Sequence, residues 1–232
     1  MSDCEALALR VKNVTQQIES ACREAGRDPS EVTLLPVSKT FGASTIRAMV
    51  ELGYKRFGEN RLQEIAQKAP ELDDCDIEWV VIGNVQTNKA KEVAKYASEL
   101  QSLDRLALAE ALHKRLSALN RTLKVLVQVK TSPEDTKAGL DPSELVPFLR
   151  ELAQFPSLEV QGLMTMAVLS EDESAVRACF QLLRHCQQEA RAADLPGVTL
   201  DRLSMGMSGD MSIAIEEGST EVRVGSAIFG QR

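Results

Sequence analysis

Short apolar runs recur along the chain at 32–38, 56–58, 78–82, 99–103, 123–129, 158–164, 200–205 and 221–228. Runs of this length, bounded by turn residues, predict strands buried on both faces. Between most of them the apolar positions switch to helical spacing, over roughly 43–53, 60–69, 86–97, 104–120, 142–153, 171–193 and 209–217. Ahead of the first run, Leu7, Val11, Val14, Ile18 and Cys22 predict an amphipathic helix over 3–25, closed by Gly26 and Pro29. Some breaks carry their own signals. Gly53 follows the helix of Ile46 and Met49, Asp104 is placed to cap the helix after it, and Asp141-Pro142 supplies a cap with proline in the first turn.

Eight strands alternating with helices predict parallel βα units. Count and length favour a closed (β/α)8 TIM barrel with an extra amino-terminal helix over an open doubly wound sheet. No internal repeat, low-complexity tract or linker interrupts the pattern, so residues 1–232 are expected to form a single domain.

Composition narrows the function classes. The chain has 232 residues, 44% hydrophobic and 26% charged, and a net charge of −7. No basic stretch is longer than a pair, which argues against a nucleic-acid partner. The amino terminus, Met1-Ser2-Asp3-Cys4-Glu5, lacks the basic region and apolar core of a signal peptide. No apolar stretch approaches the roughly 20 residues of a membrane span. The five cysteines (Cys4, Cys22, Cys75, Cys179, Cys186) are odd in number and include no CxxC pair, so free thiols in a reducing cytoplasm are expected. His113 and His185 are the only histidines, both in polar helical contexts, and no metal site is expected. The chemistry must run without a histidine base.

A barrel builds its site at the carboxyl ends of its strands. Lys39 ends the run Leu34-Leu35-Pro36-Val37-Ser38 and falls at such an end. Burial there would lower its pKa and make it a Schiff-base nucleophile; the alternative is a strand-end lysine solvated at a loop. Other strand ends offer Gly58-Glu59-Asn60, Gly83-Asn84 followed by Gln86, Asn88 and Lys89, then Ser102 with Asp104, and Met164-Thr165-Met166. Strands seven and eight end in glycine- and serine-containing turns, Ser204-Met205-Gly206-Met207-Ser208-Gly209-Asp210 and Arg223-Val224-Gly225-Ser226. Gly206, Ser208, Gly209, Gly225 and Ser226 are candidates for a phosphate cup, because glycine lets backbone N–H groups approach an anion. Alternation in Glu221-Val222-Arg223-Val224 points Arg223 opposite to its apolar neighbours: in most sheets such an arginine is solvated, whereas in a barrel it can face the interior, beside the strand of Lys39. There it would oppose protonation of the lysine and donate to an acceptor on a ligand. These parts describe a pocket for pyridoxal 5′-phosphate. They equally suit a class I aldolase acting on a phosphorylated carbonyl compound, and the residues alone do not separate the two.

Ordered motifs add a resemblance. Val37-Ser38-Lys39-Thr40, Phe57-Gly58-Glu59-Asn60 with Gln63-Glu64, and Ile82-Gly83 with Gln86-Thr87-Asn88-Lys89 come first. Glu134, Lys137, Gly139 and Gly162-Leu163-Met164 follow, then Leu203-Ser204-Met205-Gly206-Met207-Ser208 with Asp210, Gly218-Ser219-Thr220 with Val222-Arg223 and Gly225, and Ile228-Phe229-Gly230. Over nearly its whole length the chain resembles the YggS/PROSC family of pyridoxal phosphate homeostasis proteins. The resemblance implies a barrel like the amino-terminal domain of alanine racemase, a fold type III pyridoxal phosphate fold. It implies Lys39 as the internal aldimine lysine, Asn60 beside the cofactor, Ser208, Gly225 and Ser226 on its phosphate, Arg223 facing the pyridine nitrogen, and Met205 within the binding motif. Two departures stand out: Val80-Val81 where the family commonly has His-Phe, and Lys130 where it commonly has asparagine.

Members of that family are regarded as cofactor carriers or regulators of amino-acid and keto-acid balance, without established turnover. Arginine keeps its proton, so it would leave the ring nitrogen an acceptor and weaken the ring as an electron sink. Racemisation needs acid–base groups on both substrate faces, some of which related racemases and decarboxylases draw from a carboxyl-terminal β domain. The chain ends at Arg232, directly after strand eight, and no such domain is expected. The expectation is a carrier or buffer of pyridoxal phosphate, monomeric or weakly dimeric, with client enzymes as partners and no catalytic residues. The competing readings are a weak amino-acid racemase and, further off, a class I aldolase.

Overall fold

The computed structural model describes residues 3–133 and 138–230. Its strands are β1 (Thr33–Pro36), β2 (Arg56–Glu59), β3 (Glu78–Val81), β4 (Ala97–Leu103), β5 (Leu123–Gln128), β6 (Leu158–Met164), β7 (Arg202–Ser204) and β8 (Glu221–Val224). They pair in parallel in the order β1-β8-β7-β6-β5-β4-β3-β2. Just past β1, Val37 bridges to Gly58, and the Ser38 N–H donates to the Gly58 carbonyl at 3.0 Å. That contact brings the two ends of the sheet together, so the eight strands form a nearly closed barrel rather than an open sheet.

Helices α1 (Asp3–Glu24), α2 (Ala43–Glu51), α3 (Leu62–Lys68), α4 (Ala90–Tyr96), α5 (Leu106–Ala118), α6 (Leu145–Leu152), α7 (Glu173–Ala192), α8 (Met211–Glu216) and α9 (Ser226–Phe229) surround the strands. The amphipathic stripe of α1 buries Leu7, Val11, Val14, Ile18 and Cys22. Its polar side is used too: Arg10 donates to the Ile228 carbonyl at the end of α9. Just beyond α1, Arg27 donates to the carbonyls of Ile215 (2.7 Å) and Ser219 (2.8 Å). Cations at helix carboxyl ends satisfy carbonyls that have no partner within the helix. Among the described residues no helix is long and apolar enough to cross a membrane.

Two sequence expectations change. The last apolar run does not stay extended to 228: β8 stops at Val224, and residues 226–229 turn into α9. Gly225 makes the break, where an added Cβ would lie 3.2 Å from the Val37 carbonyl. Asp104 does not cap α5. Its carboxylate pairs with Arg105, which stands at the cap position without a side-chain cap bond. By contrast Asp141 does cap, accepting from the Ser143 N–H at 2.9 Å, and Gly53 ends its helix at φ +94°.

Polar side chains fill the lower barrel interior. Arg56 donates to Glu99 (2.9 Å) and Glu221 (3.0 Å), and Arg202 donates to the same two carboxylates at 2.8–3.0 Å. The Gln101 amide adds donors to both, and its oxygen accepts from Ser204 at 2.7 Å. Burial alone would favour neutral groups, but Arg202 and Arg56 outweigh it and hold the Glu99 carboxyl below its ordinary range.

Candidate functional site

A cavity of about 400 Å³ opens at the carboxyl ends of the strands. Every strand but β4 contributes: Val37 and Lys39 follow β1, Asn60 follows β2, and Ile82, Gly83 and Asn84 follow β3. Gln128 ends β5 and Met164 ends β6; Met207, Ser208 and Gly209 follow β7, and Arg223, Gly225 and Ser226 close the ring. The fold thus gathers Lys39, Asn60, Ser208, Arg223, Gly225 and Ser226 around one space.

Lys39 is exposed rather than buried, because the chain turns outward directly after Ser38. Arg223 is the opposite case. It is 4% exposed; Nη1 donates to Ser204 Oγ and Nη2 to the Thr165 carbonyl, both at 2.8 Å. Burial pushes the guanidinium down to about 10, against the opposing charges of Glu221 and Asp210, so it stays a cation at neutral pH. No carboxylate hydrogen-bonds to it among the described residues.

Beside Lys39 and Arg223 on the cavity wall, the turns after β7 and β8 present backbone donors. The N–H groups of Ser208, Gly209, Ser226 and Ala227 have no acceptor among the described residues. Asp210 ties its turn by accepting from the Met207 N–H. Gly206 takes φ +98°, and an added Cβ would sit 2.6 Å from Ala214 Cβ, so this turn requires glycine. Gly206 serves that geometry without lining the cavity. Met205 is fully buried and also does not line it.

Several strand-end residues do other work. Ser102 donates to the Gly83 carbonyl at 2.6 Å, and Lys89 pairs with Glu92. Glu59 points behind the barrel wall, where its Oε1 accepts from Ser38 Oγ (2.7 Å) and from Lys68 Nζ (2.6 Å). Gln128 and Ala138 are lining residues that sequence reasoning missed; Gln128 Nε2 donates to the Ala138 carbonyl at 3.0 Å. A polar residue ending the run Val125-Leu126-Val127 was the available signal. Of the departures, Val80 and Val81 are buried in the core and neither departure lines the cavity. Glu134 and Lys137 lie outside the described residues. His113 is held by Ser157 at 2.8 Å, and His185 is exposed beside Glu189.

A family model described as alanine racemase, N-terminal domain, matches residues 9–232. The chain belongs to this family. A protein of Aquifex aeolicus named pyridoxal phosphate homeostasis protein is 39% identical over 232 residues, covering 100% of this chain and 99% of its own length. A Pseudomonas aeruginosa protein of the same name is 38% identical, with 97% and 96% covered. Among solved structures, PipY of Synechococcus elongatus PCC7942 with PLP bound superposes at a TM-score of 0.86 and 36% identity, covering 97% of this chain and 100% of its own. An alanine racemase of Clostridium difficile 630 shares the fold (TM-score 0.77, 14% identity), and the match spans 97% of this chain and 56% of the racemase.

Proposed function

We propose that this protein binds pyridoxal 5′-phosphate in the cavity and serves pyridoxal phosphate homeostasis as a carrier or buffer, not through turnover. The donor set fits that ligand. Lys39 offers an amine to the aldehyde, and Asn60 lies at the rim beside it. Ser208, Gly225 and Ser226 belong to two turns whose free N–H groups suit a phosphate dianion. Met205, buried beneath the β7 turn, supports that turn from behind. When bound, the pyridine ring is an electron sink for carbanion chemistry if its nitrogen is protonated.

The observation that carries the carrier reading is Arg223. It is buried, cationic and without a carboxylate hydrogen bond among the described residues, and it lines the same cavity as Lys39. Facing the ring nitrogen, a guanidinium donates a hydrogen bond and keeps that nitrogen an acceptor, which weakens the sink. Relatives at 38–39% identity are named as homeostasis proteins, which supports the same reading. We place the whole chain in one domain, in the cytoplasm, as a monomer or weak dimer that hands cofactor to client enzymes; five unpaired cysteines accord with a reducing compartment.

The test is spectroscopic. Purified protein mixed with pyridoxal 5′-phosphate is expected to develop the visible band of a lysine-bound cofactor, and Lys39→Ala to lose it. A preparation that stays colourless overturns the assignment. An amino-acid racemase rate above about 1 per second, in the ordinary enzyme range, would replace the carrier with an enzyme.

A further inference from the structure

Behind the barrel wall, on the far side of Lys39 from the cavity, lies a group of charges that pocket lining does not explain. Lys68, at the end of α3, is buried, and its Nζ donates to three oxygens: the Ser38 carbonyl (3.0 Å), Glu59 Oε1 (2.6 Å) and Glu64 Oε2 (3.2 Å). Ser38 Oγ donates to the same Glu59 oxygen, and the Thr40 N–H donates to Glu64 Oε2 at 2.5 Å. Thus both residues flanking Lys39 are anchored to one cluster. Ser38 is further fixed by its N–H on Gly58 and by its carbonyl, which also accepts from Phe41 at 3.1 Å.

The cluster is poorly explained as a stability device. A buried ion pair is often no better than an apolar pair of the same shape, since desolvation offsets the attraction. This one is also incompletely satisfied: Glu59 Oε2 is buried without a hydrogen-bond partner among the described residues. Burial raises the Glu59 carboxyl above its ordinary range in spite of Lys68 and Ser38. Moreover, Thr40 sits at φ +71°, a left-handed conformation that is unfavourable for a β-branched residue. Such a conformation persists where surrounding contacts over-determine it, and the Glu64 bond to the Thr40 N–H is one such contact.

We propose that Glu59, Glu64 and Lys68 are positioning residues that clamp the Ser38–Thr40 turn and so aim the Lys39 amine into the cavity. This rests on the reading of Lys39 as the cofactor lysine. The step served is a condensation. The neutral amine adds to the aldehyde carbon, its two N–H hydrogens leave with the carbonyl oxygen as water, and a C=N bond joins lysine to cofactor. Fixing the two flanking peptide units leaves the lysine side chain as the main freedom to be lost on reaction, and a well-held geometry can be worth orders of magnitude in rate.

The experiment compares two probes on the full-length apo protein. Pyridoxal 5′-phosphate reports lysine attachment through the growth rate of its visible band. Pyridoxine 5′-phosphate has the same ring and phosphate but an alcohol in place of the aldehyde, so its affinity reports the pocket without Lys39 chemistry. Glu64→Ala and the charge-neutral double variant Glu59→Gln/Lys68→Met are each expected to slow band growth tenfold or more while changing pyridoxine phosphate affinity less than twofold. Glu64→Gln, which keeps an acceptor for the Thr40 N–H, is expected to recover most of the loss. Band growth within twofold of wild type in both variants overturns the clamp, as does an equal loss for both probes, the mark of a merely structural role. A wild-type protein that binds pyridoxine phosphate but forms no band sinks the cofactor-lysine reading and the clamp together. Unchanged variants beside a coloured wild type sink the clamp alone. Glu64→Ala keeps the test decisive should the double variant fail to fold, because it leaves the buried Glu59–Lys68 pair in place.

Discussion

Arg202 and Arg223 are arginines on neighbouring strands of one barrel, and their surroundings treat them in opposite ways. Arg202 is held by two carboxylates, Glu99 and Glu221, and although burial favours its neutral form these partners hold its pKa above the ordinary value. Arg223 lies higher, is more deeply buried, and gives its hydrogen bonds to a hydroxyl and a carbonyl; burial lowers it to about 10. One arginine is consumed by the fold, while the other is left with charge to spare beside a cavity. Ser204 connects them, since it accepts from Arg223 and donates to the Gln101 amide that bridges the lower carboxylates. The lower layer neutralises itself, whereas in the upper layer Arg223 lines the cavity.

Breaking that contrast at its strong end gives the largest expected effect. Arg202→Met leaves Glu99 and Glu221, which are 3% and 1% exposed, to share Arg56 as a single cation, and should cost about 3–5 kcal/mol of stability. Urea unfolding of the apo protein measures it; a loss below about 1 kcal/mol would mean that the four charges do not act as a unit.

Acid comes next. Glu99 is depressed in the folded state, so its contribution is full above the ordinary carboxylate range and is lost as pH falls through the folded value. Glu59 is raised, so its ionisation costs stability as pH rises through its own folded value. Denaturation midpoints between pH 3 and 7 should therefore show Glu99→Gln flattening the acid limb. Glu59→Gln should instead remove the loss of stability that sets in as pH rises, and the same slope change in both variants would contradict the opposite environments.

How far these regions were legible differs for a physical reason. Periodicity located all eight strands and every helix around them except α9, since burial on both faces forces continuous apolar runs. The glycine turns at 206 and 225 and the strand-end Lys39 were legible for the same reason: position in a barrel assigns them to one end. The lower charge layer was missed, though Glu99 with Gln101 and Glu221 with Arg223 are spaced two apart inside strands, which places each pair on one face. Inward polar residues read as breaks in an apolar run until the partner strands are known. The clamp was missed for a related reason. Glu64 and Lys68 look like an ordinary exposed i,i+4 helix pair, and only the tertiary fold lays Ser38 and Glu59 beside them.

At the cavity the expected effects are smaller and fall on ligand retention. Ser208→Ala with Ser226→Ala removes two hydroxyls from the proposed phosphate cup but leaves in place the four N–H groups that have no acceptor among the described residues. Equilibrium dialysis of pyridoxal 5′-phosphate should show retention weakened about tenfold, or about 1.4 kcal/mol. Unchanged retention would move the phosphate elsewhere in the cavity.

The smallest stability effect tests the weak end of the contrast. Arg223→Met leaves Ser204 Oγ and the Thr165 carbonyl short of a donor, a loss of about 1–3 kcal/mol when such groups stay buried. It also relieves the protein of a desolvated cation that no carboxylate among the described residues hydrogen-bonds, and Ser204 keeps its own hydrogen bond to the Gln101 oxygen. These contributions oppose, and the net change in urea unfolding should stay within about 1 kcal/mol, several-fold below that of Arg202→Met. Cofactor retention is expected to fall in the same variant whose stability hardly moves. A stability loss equal to that of Arg202→Met would make Arg223 a structural residue of the lower layer and remove it from the site.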